Sequence, residues 1–481
     1  MRKKPSKKSS KTASKNVLTE GSILKSLLTL AIPIVLATML QTAYQLIDAF
    51  WVGRLGEAAV AAVALSFPIM FLLFSFGGGL AIAGTILVAQ YRGKGNQQQV
   101  DYFAAQTVLM MLAVSVVLTI LGYFMTPFLI RLMGAAPDVF PQAVSFLQIS
   151  FLGMVAVFGS FVFQSLMRGV GDVKTPLLII LGSVILNFFL DPLFIYGYGS
   201  FPAFGVGGAA VATVITEGLA AIIGFSMLFS GKYGIHVKLS NLKPRFDVVK
   251  KMFLLGFPSS IDQSLRALGF IAMVVLVASF GTTAIAAYGI GMRILGFIII
   301  PALGLSIATS TLVGQNMGAG KIARAEKIAT LSTLLGFGAL TVIGILIFIF
   351  ARPLSTFFIP GEEQVIALST SFIHIIALTF GLISIHIVLS GVFRGAGDTM
   401  TPLVLALISL WLIQFPLAYV LSTYTALGVA GIWWAFPLAN IINAVITILW
   451  YLRGSWKKKR ITEDFKMIEK VEEAALTEEG I

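Results

Sequence analysis

Uncharged apolar runs recur along the whole chain, each bounded by a short cluster of Gly, Pro or charged residues. An α-helix needs about 20 such residues, at about 1.5 Å apiece, to cross the hydrocarbon of a bilayer. The breaks predict twelve spans, near residues 26–52, 58–88, 103–126, 142–167, 175–197, 206–230, 251–277, 284–313, 328–350, 364–391, 401–422 and 427–452. Several are longer than a perpendicular crossing requires, so tilted or kinked helices are expected. Barrel strands would alternate polar and apolar residues over about 10 positions, and no such alternation occurs. The pattern predicts an all-α integral membrane protein with 12 transmembrane helices.

Composition strengthens that reading. Of 481 residues, 57% are hydrophobic and 11% charged, with a mean hydropathy of +0.94. A soluble domain carries about 25% charged residues, so most side chains here must face lipid or other apolar helices. The absence of cysteine excludes disulfides, thiolate chemistry and Cys-based metal sites.

A net charge of +13 invites a nucleic-acid reading, but the placement of the charge gives it another meaning. With the N-terminus inside, only Arg54, Arg131 and Arg352 of the 34 Lys and Arg fall in outer loops, and Arg266 and Arg293 lie within helices. All the others are inside. That bias follows the positive-inside rule and predicts a multi-pass protein with both termini cytoplasmic and no nucleic-acid partner. The basic, Ser-rich start lacks the short apolar stretch and cleavage site of a signal peptide and reads as a disordered arm. The expected organisation is a basic cytoplasmic arm (1–22), a six-helix lobe (23–231), a basic linker (232–250), a second six-helix lobe (251–453) and a charged cytoplasmic tail (454–481).

The two halves repeat one another. Arg168-Gly-Val-Gly-Asp172-Val-Lys-Thr175-Pro176 recurs as Arg394-Gly-Ala-Gly-Asp398-Thr-Met-Thr401-Pro402. At nearly the same spacing Gln90, Gly93 and Gly95 recur as Gln315, Gly318 and Gly320, Pro33 as Pro258, and Gly205-Val-Gly-Gly as Gly428-Val-Ala-Gly. Chance similarity between apolar segments would not keep Arg, Asp and Pro in register. Six helices per repeat give both halves the same orientation. The lobes are then related by a pseudo-two-fold axis along the membrane normal, with the substrate path between them.

Several of these marks occur together in one known family. Asp48-Ala-Phe-Trp-Val-Gly53, the two Arg-Gly-X-Gly-Asp turns and Asn187-X-X-X-Asp191-Pro192, in this order, resemble a multidrug and toxin extrusion (MATE) transporter over roughly residues 20–455, of the prokaryotic, DNA-damage-inducible-like branch. The resemblance implies a prokaryotic cytoplasmic-membrane protein. It implies cation-coupled export, by H⁺ or Na⁺, of amphipathic and often cationic compounds through rocking of the two lobes. No enzyme activity and no cofactor beyond the transported H⁺ or Na⁺ are expected; membrane lipid and small amphipathic substrates are the expected partners, and the protein is expected to be a monomer.

Ionised groups at mid-membrane cost at least about 2.5–3.5 kcal/mol on insertion scales, so intramembrane carboxylates are functional candidates. There are four: Asp48, Asp191, Glu217 and Asp262. The repeat acts as an internal control. Asp48 aligns with Met273, Tyr44 with Gly269, Asp191 with Phe415 and Asn187 with Trp411. A fold that required polar groups there would repeat them.

Asp48 and Asp191 sit near the outer ends of the first and fifth helices, with Tyr44 and Asn187 one turn deeper on the same faces. Thr213, in the outer part of the sixth helix, reaches a similar level. In the family a bundle of this kind in the first lobe binds the coupling cation. The match carries over to Tyr44, Asp48, Asn187, Asp191 and Thr213, and to Gln164, where relatives commonly have Asn. Asp48, Asp191, Asn187 and Thr213 supply oxygens for Na⁺, or two close carboxylates trap a proton. Both alternatives stand. Glu217 is a candidate lining residue of the substrate cavity, and Pro33 a candidate hinge or, since Pro258 repeats it, equally a scaffold kink. Asp262 and Arg266, four residues apart, are expected to neutralise each other structurally.

Rival classes are weaker. Gly318-Ala-Gly320-Lys321 is not a phosphate loop, since Gln315 stands at the upstream Gly position and Ile322 follows the Lys. Three widely spaced His make a poor enzyme site, and a channel would present rings of like residues. The remaining alternative is a flippase for lipids or lipid-linked oligosaccharides, which would want a strongly cationic cavity. The four acidic and two basic intramembrane groups favour cationic cargo instead.

Overall fold

The structure, a computed structural model, describes residues 18–199, 202–459 and 461–463. The first 17 residues of the basic arm and the tail from 464 lie outside the described residues. The first half consists of α1 (Ile23–Gly53), α2 (Glu57–Gly93), α3 (Gln97–Leu132), α4 (Phe140–Leu152), α5 (Met154–Val170), α6 (Lys174–Tyr196) and α7 (Val206–Ser230). The second consists of α8 (Phe246–Ala278), α9 (Thr282–Gly318), α10 (Ile322–Ile349), a short α11 (Ala351–Phe358), α12 (Glu363–Ala377), α13 (Phe380–Ala396), α14 (Met400–Ala406), α15 (Phe415–Thr423) and α16 (Val429–Leu452). A π-helical segment, Leu407–Gln414, joins α14 to α15.

Among the described residues ten helices are long and apolar enough to cross a membrane, or twelve when α4–α5 and α12–α13 each count as one bent span. This is the architecture read from the sequence, and the structure adds where the helices bend. Pro33, the hinge candidate, lies within the continuous α1. The sharp bends, 49° and 56°, fall between Leu152 and Met154 and between Ala377 and Phe380, where there is no proline. A single Gly153 and the pair Leu378-Thr379 interrupt the helices there.

Polar side chains build the repeated turns. Gly171 and Gly397 take left-handed backbone (φ +92° and +89°) and end α5 and α13. Asp172 then accepts from the Lys174 and Thr175 amides and the Thr175 hydroxyl. Asp398 does the same for the Thr401 amide and hydroxyl. Each carboxylate caps the start of the following helix.

Large apolar side chains such as Phe124, Phe128, Leu346 and Leu449 are exposed, as expected of surfaces solvated by lipid. Two buried apolar cores form, one almost wholly from the first half and one from the second. A third core mixes the halves, packing Leu27, Leu30, Ala31 and Ile34 of α1 against Leu305, Ala308 and Leu312 of α9.

The lobes meet closely only toward the end of the bundle that carries Leu18 and Thr462, called here the terminal end. A Cβ added at Gly93 would lie 1.8 Å from the Gln315 carbonyl oxygen, and one at Gly318 would lie 1.8 Å from that of Gln90. The two glutamines then cross over: Gln90 Nε2 donates to the Gly395 carbonyl at 3.1 Å and Gln315 Nε2 to that of Gly169 at 3.0 Å. Further up, Gly304 abuts Val35, and Gly79 abuts Ser260. Gly289 and Gly296, on the same face of α9 as Gly304 but nearer its other end, have nothing within 4 Å. Among the described residues the close inter-lobe glycine contacts all lie in the terminal half or at mid-helix, which leaves room for a cleft between the lobes toward the far end.

Candidate cation-coupling site

Three helices of the first lobe bring the predicted carboxylates together. α1 carries Tyr44 and Asp48, α6 carries Asn187 and Asp191, and α7 carries Thr213, Thr216 and Glu217. A small apolar floor of Tyr44, Ile180 and Val184 packs α1 on α6 just below. Asp191 and Asn187 are fully buried. Asn187 Nδ2 donates to Asp191 Oδ1 at 3.0 Å, and Thr213 Oγ1 to Asp48 Oδ2 at 3.4 Å. Asp48 and Asp191 face each other closely enough to interact directly.

What the oxygens lack defines the site. Asp48 Oδ1, Asp191 Oδ2 and Asn187 Oδ1 are all buried without a hydrogen-bond donor. Two carboxylates about 4 Å apart at an effective dielectric near 20 repel by about 4 kcal/mol, and buried acceptors without donors add further cost. A proton shared between the carboxyls, or a small oxygen-loving cation, relieves both. Among the described residues no group of three or more His, Cys, Asp or Glu converges. The donor set is carboxylate, amide and hydroxyl oxygen, which suits a hard monovalent cation rather than a transition metal.

Two sequence candidates, Tyr44 and Gln164, sit differently from expectation. Tyr44 bonds to the Thr216 hydroxyl at 2.5 Å rather than to Asp48. Thr216 spends its own proton on the α7 carbonyls of Ala212 and Thr213, so Tyr44 is the donor. Gln164 is not in hydrogen-bond contact with the carboxyl pair. Its oxygen accepts from Arg168 at 2.7 Å and Gln41 at 3.3 Å, and its amide donates to Ser160. Glu217 lies against Ser160 and within electrostatic reach of Tyr44, with Oε2 buried and undonated. Thr216, Ser160 and Gln41 were missed in the sequence. Each was legible in the repeat, since Thr216 aligns with Ala439, Ser160 with His386 and Gln41 with Arg266.

In the second lobe Asp262 is fully buried and is an ion-pair hub. Arg266 Nε donates to its Oδ1 at 2.9 Å, and Arg394 donates to its Oδ2. The predicted neutralisation by Arg266 is present, and Arg394 of the repeated turn adds a second cation. Arg266 also donates to His386 Nε2 at 3.1 Å. A guanidinium has no acceptor, so Nε2 is the lone-pair nitrogen and Nδ1 carries the proton toward Thr447, at 3.1 Å.

A sequence model of the MatE family matches this chain twice, over residues 33–193 and 258–420. The chain belongs to the MATE family. Both matches cover most of a lobe, so the internal repeat is itself a family feature. Over 445 residues the chain is 30% identical to the probable multidrug resistance protein YoeA of Bacillus subtilis, covering 92% of this chain and 96% of that one. It is 26% identical to a protein of Shewanella oneidensis named FAD transporter, over 89% of this chain and 94% of the relative. Among solved structures, a multidrug resistance MATE transporter described in an outward-facing conformation superposes with a TM-score of 0.86 at 25% identity, covering 94% of this chain and all of that one. This MATE protein is therefore a multi-pass membrane transporter and not an enzyme.

Proposed function

We propose that this MATE protein exports amphipathic small molecules, driven by H⁺ or Na⁺ moving inward through Asp48, Asp191, Asn187 and Thr213. The observation that carries this reading is the set of three buried, undonated oxygens on Asp48, Asp191 and Asn187. They converge where the second lobe has Met273, Phe415 and Trp411. The terminal end faces the cytoplasm of a prokaryotic cell in this reading, as the inside bias of Lys and Arg supports. The cleft then opens outward, as the likeness to an outward-facing relative also supports.

Binding the cation joins α1, α6 and α7 around one charge, and losing it releases them. α1 spans both regions, with Asp48 in the site and Leu27 to Ile34 packed on α9, so the state of the site bears on the inter-lobe contact. Alternating access follows from that linkage. Relatives carry names as different as multidrug resistance protein and FAD transporter, so the cargo must be read from this chain's own cleft. The excess of intramembrane acids that favoured cationic cargo included Asp262, which is matched by two arginines.

Proteoliposomes with separately imposed Na⁺ and H⁺ gradients test the proposal. One gradient should drive export of an amphipathic dye, and Asp48→Asn should abolish it. Export indifferent to both gradients, or intact in Asp48→Asn, would refute it.

A further inference from the structure

The coupling reading leaves the positive charges of the second lobe unused. Arg293 lies three turns from Gly304 on the same face of α9, and Gly304 packs on Val35 of the first lobe. Its guanidinium is exposed and has no ion-pair or hydrogen-bond partner among the described residues. It is about eleven residues from the far end of α9, hence about 17 Å deep. That is well inside a span whose hydrocarbon core is about 30 Å thick.

Arg266 stands at the same depth on the neighbouring helix, about twelve residues from the far end of α8. Its side chain is 37% exposed, whereas that of its partner Asp262 is 0% exposed. Gln263, one turn earlier, touches the first lobe at Gly78, so Arg266 borders the cleft as well. Asp262 is one carboxylate against two guanidiniums, and among the described residues the other titratable group beside it is His386, whose Nε2 lone pair faces Arg266. The wall is therefore left with two uncompensated positive charges: the surplus on the hub and Arg293.

The repeat shows that the scaffold does not require them. Arg266 aligns with Gln41 and Arg293 with Pro68, so the first lobe builds the same wall without charge. A cation held at that depth without an anion costs several kcal/mol and marks a functional site by default.

We propose that Arg293 and Arg266 form a docking subsite for an anionic group, a carboxylate or phosphate, on the transported molecule. The cargo is then an amphiphile with an acidic group, alone or beside a basic one. This rests on the exporter reading and sharpens its substrate class. Guanidinium forks fit carboxylate and phosphate in a bidentate manner, and the open cleft gives a bulky apolar tail room beside them.

The test uses purified full-length protein in phosphatidylcholine nanodiscs and two probes, dansylaminoundecanoic acid and its methyl ester. The wild type should bind the acid roughly tenfold more tightly than the ester. Arg293→Gln removes a side chain with no structural partner and should erase that preference while leaving ester binding intact. Arg293→Lys should restore most of it. Arg266→Gln should weaken acid binding in the same sense, with Arg394 still holding Asp262.

Equal binding of acid and ester by the wild type, or an acid preference unchanged in Arg293→Gln, would overturn the subsite while leaving the exporter reading standing. A wild type that binds neither probe would overturn both. In phosphatidylglycerol nanodiscs the preference should persist. Its disappearance there would show that a lipid phosphate occupies the arginines, and would overturn the cargo assignment.

Discussion

Between α1 and α5 the first lobe places Ala37, Gln41, Ser160 and Gln164, and between α8 and α13 the second places Asp262, Arg266, His386 and Ser390 at the matching positions. One is a chain of amides and hydroxyls ending on Arg168, with Glu217 against Ser160. The other is a charged hub tied to Arg394. The contrast reverses nearer the far end, where Asp48 and Asp191 of the first lobe are matched in the repeat by the apolar Met273 and Phe415. Even the helix carrying the site differs, since Trp411, the counterpart of Asn187, lies in a π-helical segment. A duplicated scaffold thus tolerates complete exchange of its polar interior. Charges present in only one lobe are therefore not demanded by the scaffold that the two lobes share.

The comparison breaks most sharply at the paired arginines. Arg394→Gln should destabilise the protein by about 1.5–3 kcal/mol, the worth of a hydrogen bond to a charged group, with Arg266 still pairing the buried carboxylate. Arg168→Gln should cost only about 1 kcal/mol, the worth of a hydrogen bond to a neutral amide that keeps another donor. Melting temperatures of the purified variants decide this. Similar losses would mean that both arginines serve the repeated turn rather than the lobes' different interiors.

At the first lobe's own charges the effect should be on transport. Asp48→Asn and Asp191→Asn should each lower gradient-driven efflux roughly 100-fold, the worth of about 2.7 kcal/mol. The double variant should be no worse, since two carboxylates sharing one ion act as a pair. Additive losses would argue for two separate sites. Asp262→Asn is the control from the other lobe. Loss of cation response in a correctly folded Asp262→Asn would move coupling there.

A several-fold loss of transport is expected from Gly318→Ala, whose added methyl meets the Gln90 carbonyl. Spin labels on Lys94→Cys and Ala319→Cys, at the ends of α2 and α9, should move apart in that variant. An unchanged separation would show that the contact does not hold the lobes together. The smallest effect belongs to Thr213→Ala. Its 3.4 Å bond to Asp48 is long, so cation affinity should fall only about threefold, or below 1 kcal/mol. A loss as large as that of Asp48→Asn would promote Thr213 to a direct ligand.

Helix number, the repeat and the convergence of Asp48, Asn187, Asp191 and Thr213 were legible because each is written in a one-dimensional pattern. Apolar runs have the length of the bilayer, and side chains four apart share a helix face. The bends were not legible. Proline is the visible breaker, yet Pro33 lies in a continuous α1 while Gly153 and Leu378-Thr379 interrupt the helices. Nor was the tie from Arg394 to Asp262, which joins α13 to α8 across 132 positions of chain. Spacing along one helix predicted Arg266 as the partner, but no local rule reaches a guanidinium so far away. Gln164 is a site candidate by family resemblance alone, and its bonds to Arg168, Gln41 and Ser160 leave it out of hydrogen-bond contact with the carboxyl pair.

The crossed glutamines at the terminal end have a consequence for the working cycle. Gln90 and Gln315 close the lobes with amide-to-carbonyl bonds and glycine-to-carbonyl contacts rather than with a plug of interlocked aromatic rings. When such a seam parts, water takes over every donor and acceptor, and each hydrogen bond exchanged that way shifts the balance by only about 0.5–1.5 kcal/mol. A greasy seam would expose apolar area at about 25 cal/mol per Å² with nothing to replace the lost burial. The α2–α9 part of the seam therefore adds little to the cost of opening, which falls mainly on the apolar contact between α1 and α9. The two glutamine bonds are related by the pseudo-two-fold axis, so they yield in one motion, and the ion bound near the far end of α1 acts on the contact that is left.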